Sequence, residues 1–503
     1  MTAFTSAPRW PVRAPLQTAR HLLSRRHCPL AVGQRIADTS STEPLHPVLD
    51  ILKRRLERPS KPGQRKDDRK VALCIEGGGM RGAVSAGMVA AIKYCGLENA
   101  FDVVYGSSAG AIVGAYFVSR QLPVYGAQIY YDIICSIPEN GQRFIDLWAL
   151  RHHPYFRRKR RGSKEFYGKG TRPVLLLDRL IDHVMRTERP LNWDQFWKYH
   201  SQMPLKPVAS SLSAMRSQTL DDFTSLDEFL ERLRASARVP GIAGNPVEIN
   251  GDFYADGLLF EPIPYRSAMR DGCTDILVLR TKPESAARKG TKPGIYEKHI
   301  ASPYFDLFHV FSPRAKVSDY LDTGSHLNIY NEDMQILKLE NKVPYSSSDA
   351  AIFSIAPPAD GPGVGQLESR AKVVYEGVRN GFTAAYDTLS PFADGCLDSV
   401  PMATVTSAKG KELEQKMTAG RRAAKWVFSD SELEDVEKRH KEAKRIRDQV
   451  RRQKRNRTTP AAPESRRERI KRVLKRRRIL RAKHRARANA AAFATIEERF
   501  FVG

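Results

Sequence analysis

Two short units at residues 71–118 constrain the fold more than anything else in this chain. Val71–Glu76 (VALCIE) is an apolar run bounded by charge before it and glycine after it, the mark of a buried strand. A glycine cluster and an Ala/Val/Met-rich helical stretch, Gly82–Tyr94, follow. Phe101–Tyr105 (FDVVY) repeats the strand pattern and leads into the small-residue helical stretch Ala109–Val118. Strand, helix, strand, helix within about 50 residues argues for a parallel sheet with helices packed on it. Further strands are expected at Pro207–Leu212, Val247–Tyr254, Asp275–Leu279 and Ala351–Ile355, and helices at Asp221–Ala237 and Leu367–Leu389. The expected fold class is α/β, a three-layer α/β/α sandwich with a mainly parallel central sheet, flanked by basic tails that are disordered or helical.

The charge balance supports that division. The 503 residues carry a net +27, yet residues 1–70 (15 basic, 6 acidic) and 409–487 (30 basic, 11 acidic) account for all of it. The reading is therefore a basic N-terminal segment and linker over 1–70, a neutral domain over 71–395 and a strongly basic tail over 396–503. Residues 1–37 hold six arginines and no Asp or Glu, the composition of an organelle transit peptide, most like a mitochondrial one; a basic bacterial N-terminus is the alternative. The stretch 57–70 is polar, charged and Pro/Gly-containing, and reads as a linker. No run of about 18 apolar residues exists, so no spanning helix is expected. Six scattered cysteines show neither a disulfide framework nor metal-ligand spacing, which points to reduced thiols and an intracellular setting. Blocks like Arg466–Arg487 are usually solvated, and they also suit an anionic membrane surface. Between Phe428 and Phe493 the tail has no Phe or Tyr and no Trp, so base stacking on nucleic acid is unsupported. A basic cluster at 151–161 reads as a solvated loop or as a rim facing anionic head groups.

Three motifs carry chemistry. Gly106-Ser107-Ser108-Ala109-Gly110 is a G-x-S-x-G placed after a buried strand and before a helix, where a serine takes a strained elbow conformation and its hydroxyl stands out of the sheet. Ser108, flanked by Gly106 and Gly110, is the candidate nucleophile, at a helix N-terminus that favours developing negative charge. Gly77-Gly78-Gly79-Met80-Arg81-Gly82 also matches G-x-G-x-x-G, a dinucleotide pattern, but the second strand ends in the serine elbow rather than in a ribose-binding acid. No Gly-Lys-Ser/Thr follows, which excludes a P-loop. Its open backbone N–H groups suit an oxyanion hole, with Arg81 holding the loop or meeting a phosphate. Tyr254-Ala255-Asp256-Gly257 ends a strand; alone, Asp-Gly is most often a hairpin turn.

Taken in order and spacing, these motifs resemble the patatin-like phospholipases. The surrounding Ala235-Ser236-Ala237-Arg238-Val239-Pro240-Gly241, Pro246-Val247 and Pro262-Ile263-Pro264 match as well, and the resemblance covers roughly 71–390. It implies a Ser108–Asp256 dyad with Asp256 as proton acceptor, an acyl-enzyme, and an oxyanion hole from Gly78 and Gly79. It also implies a lipid ester substrate and no metal or cofactor. None of the 12 histidines stands in a recognisable catalytic context. One departure is Leu258, where the family usually has Gly or Ala; a bulkier residue there bears on the pocket and on the aspartate.

Overall fold

The computed structural model describes residues 44–137, 143–147, 149, 173–286, 292–308, 317–346, 348–359, 361, 363–392 and 417–457, with side chains to residue 450. The basic cluster at 151–161, the arginine-rich segments 1–37 and 466–487, Cys28, Cys396, His152, His153 and His309 lie outside the described residues.

An eight-stranded sheet organises the molecule. Its strands are β1 (Val71–Ile75), β2 (Val103–Ser107), β3 (Leu205–Ser211), β4 (Arg216–Thr219), β5 (Val247–Ile249), β6 (Asp252–Asp256), β7 (Asp275–Leu279) and β8 (Ala351–Ile355). They run in the order β5-β6-β3-β2-β1-β7-β8, with β4 also on β3. The pairs β1–β2, β1–β7, β2–β3 and β7–β8 are parallel. Parallel strands buried on both faces need continuous apolar runs, and β1 and β7 are buried at every position. Leu73, Ile75 and Leu277 face one core with the helices Gly82–Tyr94, Ala109–Val118 and Ala371–Leu389, while Cys74, Tyr105, Ile276 and Val278 face the other with Tyr265–Arg270 and Ser325–Glu340. The result is the expected α/β/α sandwich.

The hairpin region differs from the sequence reading. The run Val247–Tyr254 is not one strand: Asn250 (φ 52°) and Gly251 (φ 80°) make a turn that folds β5 back on β6. Two consecutive left-handed residues suit the tight hairpin, and Asn-Gly supplies them. Asp256-Gly257, in contrast, makes no hairpin; it ends β6 and opens a 3-10 turn, Gly257–Leu259.

Both basic flanks contribute packed elements. The helix Pro47–Glu57 buries Val48, Leu49, Ile51 and Leu52 in the main core. Its Arg55 donates to Asp67 at 2.6 Å and to Asp102 at 2.8 Å, so the polar stretch 57–70 is fastened to the sheet rather than free. Charge alone made that segment look like a linker; the apolar stripe at 48, 49, 51 and 52 is what anchors it. At the other end, the helices Ala419–Val427 and Asp430–Arg457 pack on the helix Ala371–Leu389, burying Phe428, Leu433 and Val436. Arg379 donates through Nη2 to the Phe428 carbonyl at 2.6 Å and pairs with Asp430 at 2.7 Å.

Candidate active site

β3 brings the two candidate motifs together. Its consecutive residues Val208 and Ala209 are in register with Ser107, at the end of β2, and Asp256, at the end of β6. Strand ends paired to neighbouring positions of one strand must meet there. Their meeting point is the bond from Ser108 Oγ to Asp256 Oδ2, at 2.6 Å and fully buried.

Ser108 occupies the elbow its motif predicts. At φ 53°, ψ −124° it lies outside the favoured regions for a residue with a side chain, a conformation that persists only when its surroundings enforce it. The enforcement is visible on both sides. A Cβ on Gly106 would fall on the Ala111 Cα, and one on Gly110 would fall on the Ile75 carbonyl. Ser108 N donates to Ser236 Oγ at 2.9 Å, and that hydroxyl donates onward to the Val208 carbonyl at 2.6 Å. The serine therefore stands at the N-terminus of Ala109–Val118 with its backbone tied to β3.

Asp256 is held from three directions. Its Oδ1 accepts from the Leu258 amide at 2.9 Å, its Oδ2 from Ser108, and its own amide donates to the Arg238 carbonyl at 3.0 Å. Burial without a cationic partner raises its pKa from 3.8 to about 7, against the two hydrogen bonds that pull it down. Gly257 admits the close approach, because a Cβ there would strike Ser107 Oγ. Leu258 turns its side chain to the apolar cluster of Leu259, Phe260 and Tyr320, and its backbone amide is the part that meets the carboxylate.

The glycine loop lies alongside. Gly77 sits so close to the elbow that an added Cβ would stand 2.9 Å from Ser108 Cβ. The Gly77 amide donates to the Pro262 carbonyl at 3.3 Å and the Met80 amide to that of Gln366 at 3.0 Å, which pins the loop at both ends. Gly78 (φ 152°) and Gly79 (φ 59°) form the bend between, and their amides have no acceptor among the described residues. Arg81 is buried and its Nε donates to Thr281 Oγ1 at 3.4 Å, which itself donates to the Gly77 carbonyl at 3.2 Å. Arg81 thus braces the loop from behind. Gly82 starts the next helix with the Tyr130 ring lying directly against it.

Sequence reasoning missed three supports: Ser236, Thr281 and Tyr130. Ser236 lay in a stretch noticed only for its resemblance, and nothing marks Thr281 or Tyr130 before the fold brings them in. Among the described residues no histidine bonds to Ser108 or Asp256; His200 accepts from the Leu205 amide and His326 pairs with Glu297. Also among the described residues, no cluster of three or more His, Cys, Asp or Glu side chains has metal-site geometry, and no helix is long and apolar enough to cross a membrane.

Comparison with known proteins meets this geometry from outside. Residues 73–269 match the family model described as patatin-like phospholipase, a span that runs from β1 through the glycine loop and the elbow to beyond Asp256. An uncharacterized protein of Escherichia coli K12, YjjU, is 25% identical over 232 residues, 45% of this chain and 54% of that protein. The chain thus spans about half the length of this curated relative. Fold and motif order agree with that match, and residues 73–269 are similar to the patatin-like phospholipases.

Proposed function

We propose that this chain cleaves the carboxylic esters of phospholipids, lysophospholipids or acylglycerols through a Ser108–Asp256 dyad. The observation that carries the reading is the 2.6 Å hydrogen bond from the strained elbow serine to a buried carboxylate with a pKa near 7. A carboxylate of ordinary pKa is a poor base for a hydroxyl; one raised toward neutrality is matched to the task. Asp256 accepts the Ser108 proton as Oγ attacks the ester carbonyl. The negative charge that builds on the carbonyl oxygen is met by the Gly78 and Gly79 amides and by the N-terminus of Ala109–Val118. Collapse of the tetrahedral intermediate expels the alcohol, which takes the proton from Asp256, and leaves an acyl-Ser108 ester. Water, deprotonated by the same carboxylate, then releases the fatty acid. Each step uses one serine, one carboxylate and fixed backbone dipoles.

Access to lipid fits a peripheral mode. Lys438, Lys441 and Lys444 are exposed on the C-terminal helix, beside an Arg445 paired with Glu442, and offer an anionic bilayer a set of cations. The test is release of free fatty acid from phosphatidylcholine/phosphatidylglycerol vesicles, lysophospholipid and diacylglycerol, followed by mass spectrometry with Ser108→Ala as control. Release from at least one lipid class, absent in the variant, is the expected result. Turnover of p-nitrophenyl butyrate with no lipid cleaved would reassign the enzyme as a non-lipid carboxylesterase, and no turnover of either would overturn the reading.

A further inference from the structure

Both helices that begin at the site, Gly82–Tyr94 behind the glycine loop and Ala109–Val118 behind Ser108, meet one side chain outside the motifs. Tyr130 is 4% exposed, and its hydroxyl donates to the Ala109 carbonyl, in the first turn after the nucleophile, at 3.2 Å. The same ring fills the space where Gly82 lacks a side chain: an added Cβ there would stand 2.6 Å from Cζ and 2.7 Å from Cε1. The tyrosine is wedged between the two helix starts. It lies on a π-helical turn, Ile129–Ile134, a geometry that costs hydrogen-bond quality and recurs at functional sites.

That turn is held in place from the far end of the chain. Tyr131 donates to Glu432 at 2.6 Å, and Asp132 receives Arg439 at 2.9 Å and His440 at 3.1 Å, all three partners lying on the helix Asp430–Arg457. Arg189 also faces Asp132, at 3.8 Å. The residues that flank Tyr130 on its C-terminal side are thus clamped by the basic helix.

We propose that Tyr130 is a positioning residue for the dyad, fixing the glycine loop against the serine elbow, and that the C-terminal helix sets the position of Tyr130 through its clamp on Tyr131 and Asp132. The proposal rests on the dyad reading above. It gives the basic C-terminal region a role in catalysis and not only in adsorption to a surface. An oxyanion hole and a nucleophile carried on two different helices need their separation fixed, because a displacement of about 1 Å at a reacting centre lowers rate by up to two orders of magnitude.

The test compares kcat and KM for a soluble p-nitrophenyl ester in the full-length wild type, Tyr130→Phe, Tyr130→Ala and the double variant R439A/H440A, with melting temperatures alongside. Tyr130→Phe keeps the wedge and loses one hydrogen bond, so kcat falls about fivefold. Tyr130→Ala loses the wedge, and kcat falls on the order of 100-fold. R439A/H440A, remote from the ester, lowers kcat roughly threefold. KM stays within about twofold throughout, since substrate contacts are untouched. A purely structural role would lower melting temperature and leave kcat per folded molecule unchanged. Should Tyr130→Ala fail to fold, the other two variants decide. Wild-type kcat in both of them, or an effect confined to KM, overturns the proposal while leaving the dyad standing. A wild type without turnover overturns the dyad and this proposal with it.

Discussion

Replacing Asp256 by asparagine separates what the carboxylate does for the reaction from what it costs the fold. In the native protein its pKa stands at about 7 against an ordinary 3.8, and the cause is burial. A raised native pKa means that the folded state holds the proton more tightly than the unfolded chain. The stabilisation this brings is complete below pH 3.8 and is lost as pH rises through 7. Above that, the ionised carboxylate penalises folding by up to about 4 kcal/mol relative to its neutral form, at 1.36 kcal/mol for each tenfold change in proton affinity. Asparagine is neutral at every pH and nearly the same shape, and its carbonyl still accepts from the Leu258 amide. Asp256→Asn therefore melts above wild type at pH 8.5, by as much as roughly 8 °C at about 2 °C per kcal/mol. The gap narrows to about 2 kcal/mol at pH 5, where the folded carboxyl is protonated and the unfolded one is still ionised, and closes only below pH 3.8. Turnover meanwhile falls by about 10⁴, the scale of loss when the carboxylate of a serine-hydrolase triad is replaced by its amide. Differential scanning calorimetry at pH 5, 7 and 8.5 beside ester hydrolysis gives both readings. A variant less stable than wild type by the same amount at every pH would refute the claim that burial penalises this carboxylate.

Other expectations follow from single contacts. Ser236→Ala leaves the Ser108 amide without its acceptor and destabilises by about 1–3 kcal/mol, with a lower rate of acylation; stability within error of wild type would show that the tie to β3 does not matter. Leu258→Ala keeps the backbone bond to Asp256, so kcat stays within about threefold; loss of turnover would mean that the side chain shapes the site directly. Truncation after Phe392 removes the buried Phe428, Leu433 and Val436 and costs several kcal/mol. A melting temperature left unchanged by that truncation would contradict the packed role given to residues 419–457.

The parts legible in the sequence are those that local physics dictates. Apolar runs closed by glycine located β1 and β2, and the helices Gly82–Tyr94 and Ala109–Val118 begin and end where their small-residue stretches do. The elbow was legible because glycines at −2 and +2 are needed for a backbone packed this tightly on Ile75 and Ala111. What local pattern could not reveal depends on long-range pairing. Asp256 reads as a turn residue until β3 registers it beside Ser107. Asn250-Gly251 carries a hairpin signal of its own, which the apolar residues on either side concealed. Arg55 and Arg379 look like surface charge until their partners, Asp102 and the Phe428 carbonyl, come from elsewhere in the chain. Tyr130 is the extreme case, meeting Gly82 and Ala109 only through the packing of three helices.

Covalent trapping of the nucleophile tests the central claim most directly. A fluorophosphonate probe added to the folded full-length protein should give one adduct by intact mass, mapped to Ser108 by peptide sequencing. The adduct should be absent in Ser108→Ala and much slower to form in Asp256→Asn. An unlabelled wild type, or an adduct on a residue other than Ser108, would contradict the account.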